Sequence, residues 1–209
     1  AEILHRQGYR TVAISSSPIV RNTPGLHNPS GGFGRGFDVF REECTWRPAR
    51  CANRLALEEL TKSLDRERPL FLYLHYIDPH DVYAPPRTYP RRFAQGNPDK
   101  EFIRMGDPNP SARMLYDGAP DPGVTPADLQ YLVDLYDDEI AYFDSGSAQI
   151  VRALKAGEWL DDSIVVFAAD HGEEFLEHGH VKHCRTVFDS EDRVPLVLHI
   201  PGVPARKIE

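Results

Sequence analysis

SIVVFAAD, residues 163–170, decides the fold. Its apolar core, 164–169, is far shorter than the roughly 20 residues a membrane helix needs. It stops abruptly at Asp170-His171-Gly172-Glu173-Glu174. A short apolar run without alternation is the pattern of a strand covered on both faces. PLFLYLH, residues 69–75, has the same character and runs into Tyr76-Ile77-Asp78-Pro79-His80-Asp81. VPLVLHI, 194–200, reads as a further strand, and so does RTVAISS, 10–16, with β-branched Thr11, Val12 and Ile14. Helical patterns stand between them. In NRLALEELTKSL, 53–64, Leu57, Leu60 and Leu64 share a stripe, and Asn53 is the candidate N-cap. Thr125-Pro126-Ala127-Asp128 is a helix start, with a Thr cap, Pro at the first position and an acid in the first turn. From there Leu129, Leu132, Val133, Tyr136, Ile140, Phe143, Ile150, Val151 and Leu154 keep helical spacing up to Gly157. Residues 1–7 read as a short helix stopped by Gly8. Strands alternating with helices predict an α/β fold with a mixed, mostly parallel sheet.

Composition narrows the function classes. The 209 residues carry 24 Lys+Arg against 32 Asp+Glu, a net charge of −8. That balance argues against a general nucleic-acid binder, which shows a basic face. No stretch reads as a membrane segment or a secretory signal. Three Cys in a chain of this length do not make a disulfide framework. Compartment is left open. Residues 17–50 read as loop, rich in Pro and carrying GGFGRG at 31–36. That cluster lacks the Lys-Ser/Thr of a phosphate loop and reads as an ordinary turn-rich segment. A long Pro-rich connection, 79–124, is of the length usually reserved for function or motion. The chain opens on Ala1 within a helical pattern and closes just past a strand. The expectation is that residues 1–209 are a fragment of a longer chain.

In open α/β sheets the functional groups gather past the C-terminal ends of strands. Of nine His, five fall in the two post-strand segments: His80, His171, His178, His180 and His183. A carboxylate beside an imidazole, as in Asp170-His171, suits a divalent cation, but the pair can also cap a following helix. His80 is either an acid–base group or a turn residue. His178 and His180 read as solvated loop residues, and His75 as a half-buried strand-end histidine. Lys182 and Arg185 are surface charges unless an oxyanion uses one of them.

At these residues the chain resembles the sulfatases, a branch of the alkaline phosphatase superfamily. LFLYLHYIDPHDVYAPP (70–86) is similar to the family's LHY-x-DPH segment. YDDEIAYFD (136–144) resembles its YD-x-EI helix, and IVVFAADHGEEFLEHG (164–179) its DHGE-x-x-x-EHG segment. HCRTVFD (183–189) with RVPL (193–196) resembles the segment that follows, and the order of the four is the family's. The resemblance implies an alkaline-phosphatase-like three-layer α/β sandwich, incomplete here. It implies a sulfuric ester hydrolase acting on a small-molecule or carbohydrate sulfate ester, with a divalent metal, most often Ca²⁺. Asp170 and His171 match late metal ligands, and His80 the histidine that helps the leaving group. His183 matches the position of the anion-binding Lys or His, ahead of Arg185 and Lys182. The resemblance also implies that Asp170 and His171 project toward His80. The family's nucleophile, a formylglycine made within C/S-x-P-x-R, has no counterpart: Cys51-Ala52-Asn53-Arg54 has the Arg without the Pro. A phosphomonoester or phosphonate hydrolase, a phosphoryl-group transferase, and a non-catalytic sulfatase-like binding domain are the alternatives. Specificity is expected in 17–50 and 87–124.

Overall fold

The computed structural model describes residues 1–64, 67–81, 83–95, 125–184 and 186–207. It divides into two compact units. The first comprises Ala1–His80, Pro85–Pro90 and Glu139–Ala153, and the second the remainder.

The first unit is built on a parallel sheet of three strands, β1 (Arg10–Ser15), β2 (Val39–Arg41) and β3 (Leu70–His75), in the order β2-β1-β3. Ala13 is paired with Phe40 on one side and Tyr73 on the other. As the central strand, β1 has Val12, Ala13 and Ile14 fully buried. A short helix, α1 (Glu2–Arg6), precedes it. The helix α2 (Ala49–Thr61) packs against β1 and β3 through its stripe of Ala49, Ala52, Leu55, Ala56 and Leu60. Polar groups buried with this core are matched. Thr11 N–H donates to the Asp38 carboxylate at 2.9 Å, and Arg10 donates to Glu59, which Lys62 also reaches at 2.7 Å. Those partners hold the Glu59 carboxyl below its ordinary range against the opposing effect of burial.

Two expectations need correction in this unit. Asn53 does not cap α2; the helix starts four residues earlier, after Pro48, and has no side-chain cap. Asn53 is buried instead, donating to Gly146 O at 2.9 Å and accepting from Tyr76 Oη at 2.7 Å. Its polarity serves tertiary packing, which local capping rules do not see. The 17–50 segment is not all loop, because β2 pairs there with β1. Cys44 of that segment forms a disulfide with Cys51 in α2, while Cys184 is free and exposed.

The second unit contains an antiparallel pair, β4 (Val165–Ala168) with β7 (Leu196–His199), and a small antiparallel pair, β5 (Glu174–Phe175) with β6 (Val181–Lys182). The expectation that the 163–170 strand is covered on both faces fails. Val166 is 61% exposed and Val197 also 61%. The apolar sequence states what the strand can bury, and among the described residues its only ladder partner is β7. The expected α/β character is present, a parallel sheet with helices, but among the described residues no single sheet is mixed: one sheet is parallel and the other two pairs are antiparallel. The core of this unit is aromatic: Tyr83, Tyr131, Leu135 and Ala94 are buried, with Tyr136 and Phe175 packed against them. Asp138, fully buried, accepts the backbone N–H groups of Arg92, Phe93 and Ala94 and fixes that turn.

The long helix α3 (Pro126–Ala156) has residues in both units. It opens with the predicted cap: Thr125 Oγ1 accepts from Asp128 N–H at 3.2 Å, and Asp128 accepts from Thr125 N–H at 2.8 Å. A last short turn of helix, α4 (Asp189–Asp192), follows the β5–β6 pair. Among the described residues no helix is long and apolar enough to cross a membrane.

Candidate active site

The second unit gathers the richer chemistry, beyond the end of β4. Asp170 and His171 stand next to each other, with His171 Nε2 3.7 Å from Asp170 Oδ1. His171 Nδ1 is 2.7 Å from Gly172 O. A carbonyl only accepts, so Nδ1 carries a proton, which leaves Nε2 of the neutral ring as the nitrogen with a lone pair. Gly172 has no room for a side chain: a Cβ there would lie 2.0 Å from Ser190 O. The Gly172 N–H donates to Glu191 O at 2.6 Å, which ties the 170–172 segment to α4.

His183 lies over His171, with ring centroids 3.9 Å apart and planes inclined by 27°. Behind it, His183 Nδ1 is 2.9 Å from Glu173 Oε1. The other Glu173 oxygen accepts from Tyr83 Oη at 2.7 Å. The Glu173 side chain is 4% exposed and Tyr83 3%. The buried carboxylate raises the His183 pKa through its hydrogen bond, against the opposing effect of burial. Tyr83 is raised above its ordinary value, first by burial and then by Glu173. Tyr136, nearby, is pushed up to about 12 for the same two reasons. The result is a fixed line, Tyr83–Glu173–His183, ending in an imidazole whose charged form Glu173 favours.

Buried acids hold up the surrounding loop. Glu174, fully buried, accepts from His178 N–H at 2.7 Å, and His178 stacks on Phe188. Glu191 accepts from Thr186 N–H and Oγ1. His180 Nδ1 is buried without a hydrogen-bond partner. Lys182 is paired with Asp81. Arg185 lies outside the described residues.

The first unit presents His80. Its N–H closes a turn on Ile77 O at 2.8 Å, and its ring meets the Trp46 indole edge-on at 5.6 Å. Asp78, two residues before it, is anchored on the Ala49 N–H at the start of α2, and burial pushes its pKa up to about 6. His75 is half-buried as expected, with Nδ1 2.8 Å from Tyr73 Oη.

For a divalent cation the donors Asp170 and His171 fit in kind, one carboxylate oxygen and one imidazole nitrogen with a lone pair. Among the described residues no group of three His, Cys, Asp or Glu gathers as a complete shell. Glu173 and Tyr83 escaped the sequence reading. They are 90 residues apart and meet only through the fold. The signal for Glu173 was its place in the post-strand cluster; for Tyr83 there was none.

The Sulfatase family model matches residues 1–209. A choline-sulfatase from Rhizobium meliloti (strain 1021) is 26% identical over 154 residues, 70% of this chain and 30% of that protein. Iduronate 2-sulfatase from Homo sapiens is 26% identical over 208 residues, 90% of this chain and 37% of that protein. The chain thus spans about a third of the length of these curated relatives. Among solved structures, the phosphonate monoester hydrolase of Agrobacterium radiobacter superposes with a TM-score of 0.63 at 18% identity, covering 96% of this chain and 52% of that one.

Proposed function

Since the chain belongs to the sulfatase family, we propose that it carries the anion-facing and cation-holding residues of a sulfuric ester hydrolase. The observation that supports this most is the Tyr83–Glu173–His183 line ending on the ring of His171, beside Asp170. Asp170 and His171 hold a divalent cation, with Ca²⁺ the choice that the resemblance favours. When bound, the cation neutralises charge on the sulfate oxygens. His183, whose protonated form Glu173 favours, donates to the same anion and is oriented by that carboxylate, which Tyr83 also holds. Burial of Glu173 strengthens that pairing, because the local dielectric is low. In the first unit, the role proposed for His80 is general acid toward the departing alkoxide, a function suited to an imidazole. The substrate is a sulfate ester of a small alcohol or carbohydrate. The C/S-x-P-x-R motif of the family's nucleophile does not occur in these 209 residues, and the roles proposed for Asp170, His171 and His183 are binding roles.

Binding is therefore the direct test. Calorimetric titration with CaCl₂ is expected to show one site, lost in Asp170→Ala and His171→Ala. Titration with sodium sulfate in the presence of Ca²⁺ is expected to weaken roughly tenfold or more in His183→Ala, the loss of one charge-assisted hydrogen bond. Calcium binding that survives Asp170→Ala, or sulfate binding indifferent to His183, refutes the assignment. The phosphonate hydrolase reading receives support only if phenylphosphonate outcompetes phenyl sulfate at the same residues.

A further inference from the structure

The first unit carries a charge pattern on α2 that neither its core nor the proposed chemistry uses. The chain as a whole is acidic, with a net charge of −8, yet residues 44–57 contain three arginines, Arg47, Arg50 and Arg54, and no acid. All three are exposed. Helix energetics do not ask for them, because cations near the start of a helix oppose its dipole. Arg47 and Arg50 have no carboxylate partner among the described residues. Arg54 is paired with Glu58 at 2.5 Å, and Glu58 is shared with Arg41 at 2.8 Å. The hydrogen bonds from Arg41 and then Arg54 hold the Glu58 carboxyl below its ordinary range. That carboxylate is therefore already matched by two guanidinium groups. The helices α2 and α3 come close at Gly146, where a Cβ would stand 3.4 Å from Ala49 Cβ and from Asn53 Nδ2. Beside this contact lies a groove of about 420 Å³, lined by Arg50, Arg54, Leu57, Glu58, Thr61 and Gln149. Its size is within the range of small-molecule sites, and all six residues belong to the first unit.

We propose that this groove binds a phosphorylated small molecule, its phosphate held by Arg50 and Arg54 and its uncharged body lying along Leu57, Thr61 and Gln149. Guanidinium groups carry a fixed charge and forked donors that match phosphate oxygens in two-point contacts. Arg50 and Arg54 stand one turn apart on α2, roughly 6 Å along its axis, so they can flank one phosphate. Arg47 adds positive field from the turn before the helix. Beyond the arginines the lining changes character. Leu57 offers an apolar surface, the Thr61 hydroxyl is tied to Leu57 O at 2.8 Å, and Gln149 brings an amide from α3. Charge decides between a phosphate and a sulfate head. A phosphate monoester carries close to two negative charges near neutral pH, and a sulfate ester carries one. With Glu58 already matched, Arg47 and Arg50 are left for the ligand, and a dianion gains more from them than a monoanion does. No His or Cys lines the groove, so its role is binding and not turnover. It is also independent of Asp170, His171 and His183, which belong to the second unit.

The test uses the complete 209-residue chain in EDTA, so that no divalent cation takes part. Phenyl phosphate, phenyl sulfate and inorganic phosphate are titrated in turn by calorimetry, and the guanidinium Nε–H and side-chain amide signals are followed in ¹H–¹⁵N spectra. Phenyl phosphate is expected to shift the signals of Arg50, Arg54 and Gln149. It is expected to bind roughly tenfold more tightly than phenyl sulfate at low salt, and that advantage is expected to shrink at high salt. Arg50→Ala and Arg54→Ala are each expected to weaken phenyl phosphate roughly tenfold. Arg50→Lys is expected to restore part of the loss, because it keeps the charge without the fork. Both arginines are exposed, so these variants are expected to melt as the wild type does. Leu57→Ala is expected to weaken phenyl phosphate and to leave inorganic phosphate unchanged. Equal affinity for phenyl phosphate and phenyl sulfate overturns the proposal, and so does binding indifferent to Arg50→Ala. Phenyl phosphate binding that is lost in His183→Ala places the anion at the strand-end cluster and overturns it too. Inorganic phosphate that binds as tightly as phenyl phosphate refutes the part assigned to Leu57, Thr61 and Gln149.

Discussion

The central strand of the first unit and the paired strands of the second are similar in sequence and opposite in environment. β1 has Val12, Ala13 and Ile14 fully buried between two parallel neighbours and under α2. β4 and β7 are as apolar, yet Val166, Leu196, Val197 and Leu198 are all more than half exposed, as is Ile164 just before β4. Apolar pattern alone therefore does not measure burial. What differs is the number of flanking ladders and the presence of a covering helix. The consequence is a division of labour. The stability of the first unit is concentrated in its sheet. The second is held by an aromatic cluster and by buried acids that satisfy loop N–H groups, and it carries the Asp170, His171 and His183 cluster.

The largest expected effect attacks that contrast directly. Ile14→Ala is expected to lower the stability of the first unit by about 2–5 kcal/mol, transfer plus cavity. Val166→Ala is expected to stay within about 0.5 kcal/mol. Chemical denaturation of the two variants checks this, and equal losses would erase the distinction between the strands.

A second way to sharpen it is pH. Asp78 has its pKa raised from 3.8 to about 6 by burial. A folded-state pKa above the unfolded one means stability is fully present below about pH 4 and falls as pH rises through 6. The full span is worth about 3 kcal/mol. Asp78→Asn is expected to flatten that slope in urea melts taken between pH 4 and 7. Glu59 works in the opposite sense: its lowered pKa gives stability above the unfolded value that is lost as pH falls. An unchanged slope in Asp78→Asn would show that burial does not raise the Asp78 pKa in the fold.

These two acids also show where sequence reading stopped. β1, the Thr125-Asp128 cap and the strand ending at Asp170 are local patterns, carried by residues within a few positions of one another, and they are visible as such. β2, β5 and β6 are two or three residues long and have no period to read. The start of α2 was misplaced because Asn53 looks like a cap and is a tertiary hydrogen-bond donor to a residue 93 positions away. At the site, Asp170, His171 and His183 stood out as a cluster in the chain. The Tyr83 support did not, because it arrives from the far side of a long connection. Arg185, and much of the 87–124 segment expected to carry specificity, lie outside the described residues.

A smaller effect tests the Glu173 relay in the second unit. His183 has its pKa raised, chiefly by the Glu173 hydrogen bond. Its contribution to stability is therefore full below the unfolded-state pKa and is lost as pH rises through the folded one. Glu173→Gln is expected to bring the His183 titration down, read from its ring proton shift against pH. Tyr83→Phe, which removes one donor to the same carboxylate, is expected to cost about 1.5–3 kcal/mol and to leave His183 protonated at least as readily. A His183 titration unmoved by Glu173→Gln would mean that the relay does not set its charge.

The most direct measurement is the imidazole ¹⁵N spectrum during stepwise addition of CaCl₂ and then sodium sulfate. The expected result is a shift of His171 Nε2 with Nδ1 still protonated on Gly172 O, followed by a shift of His183 alone when sulfate is added. Asp170→Ala is expected to abolish the first step. Histidines 171 and 183 that stay still while both salts are added, or a His171 shift that persists in Asp170→Ala, would contradict the claim that this strand-end cluster holds a cation and an anion.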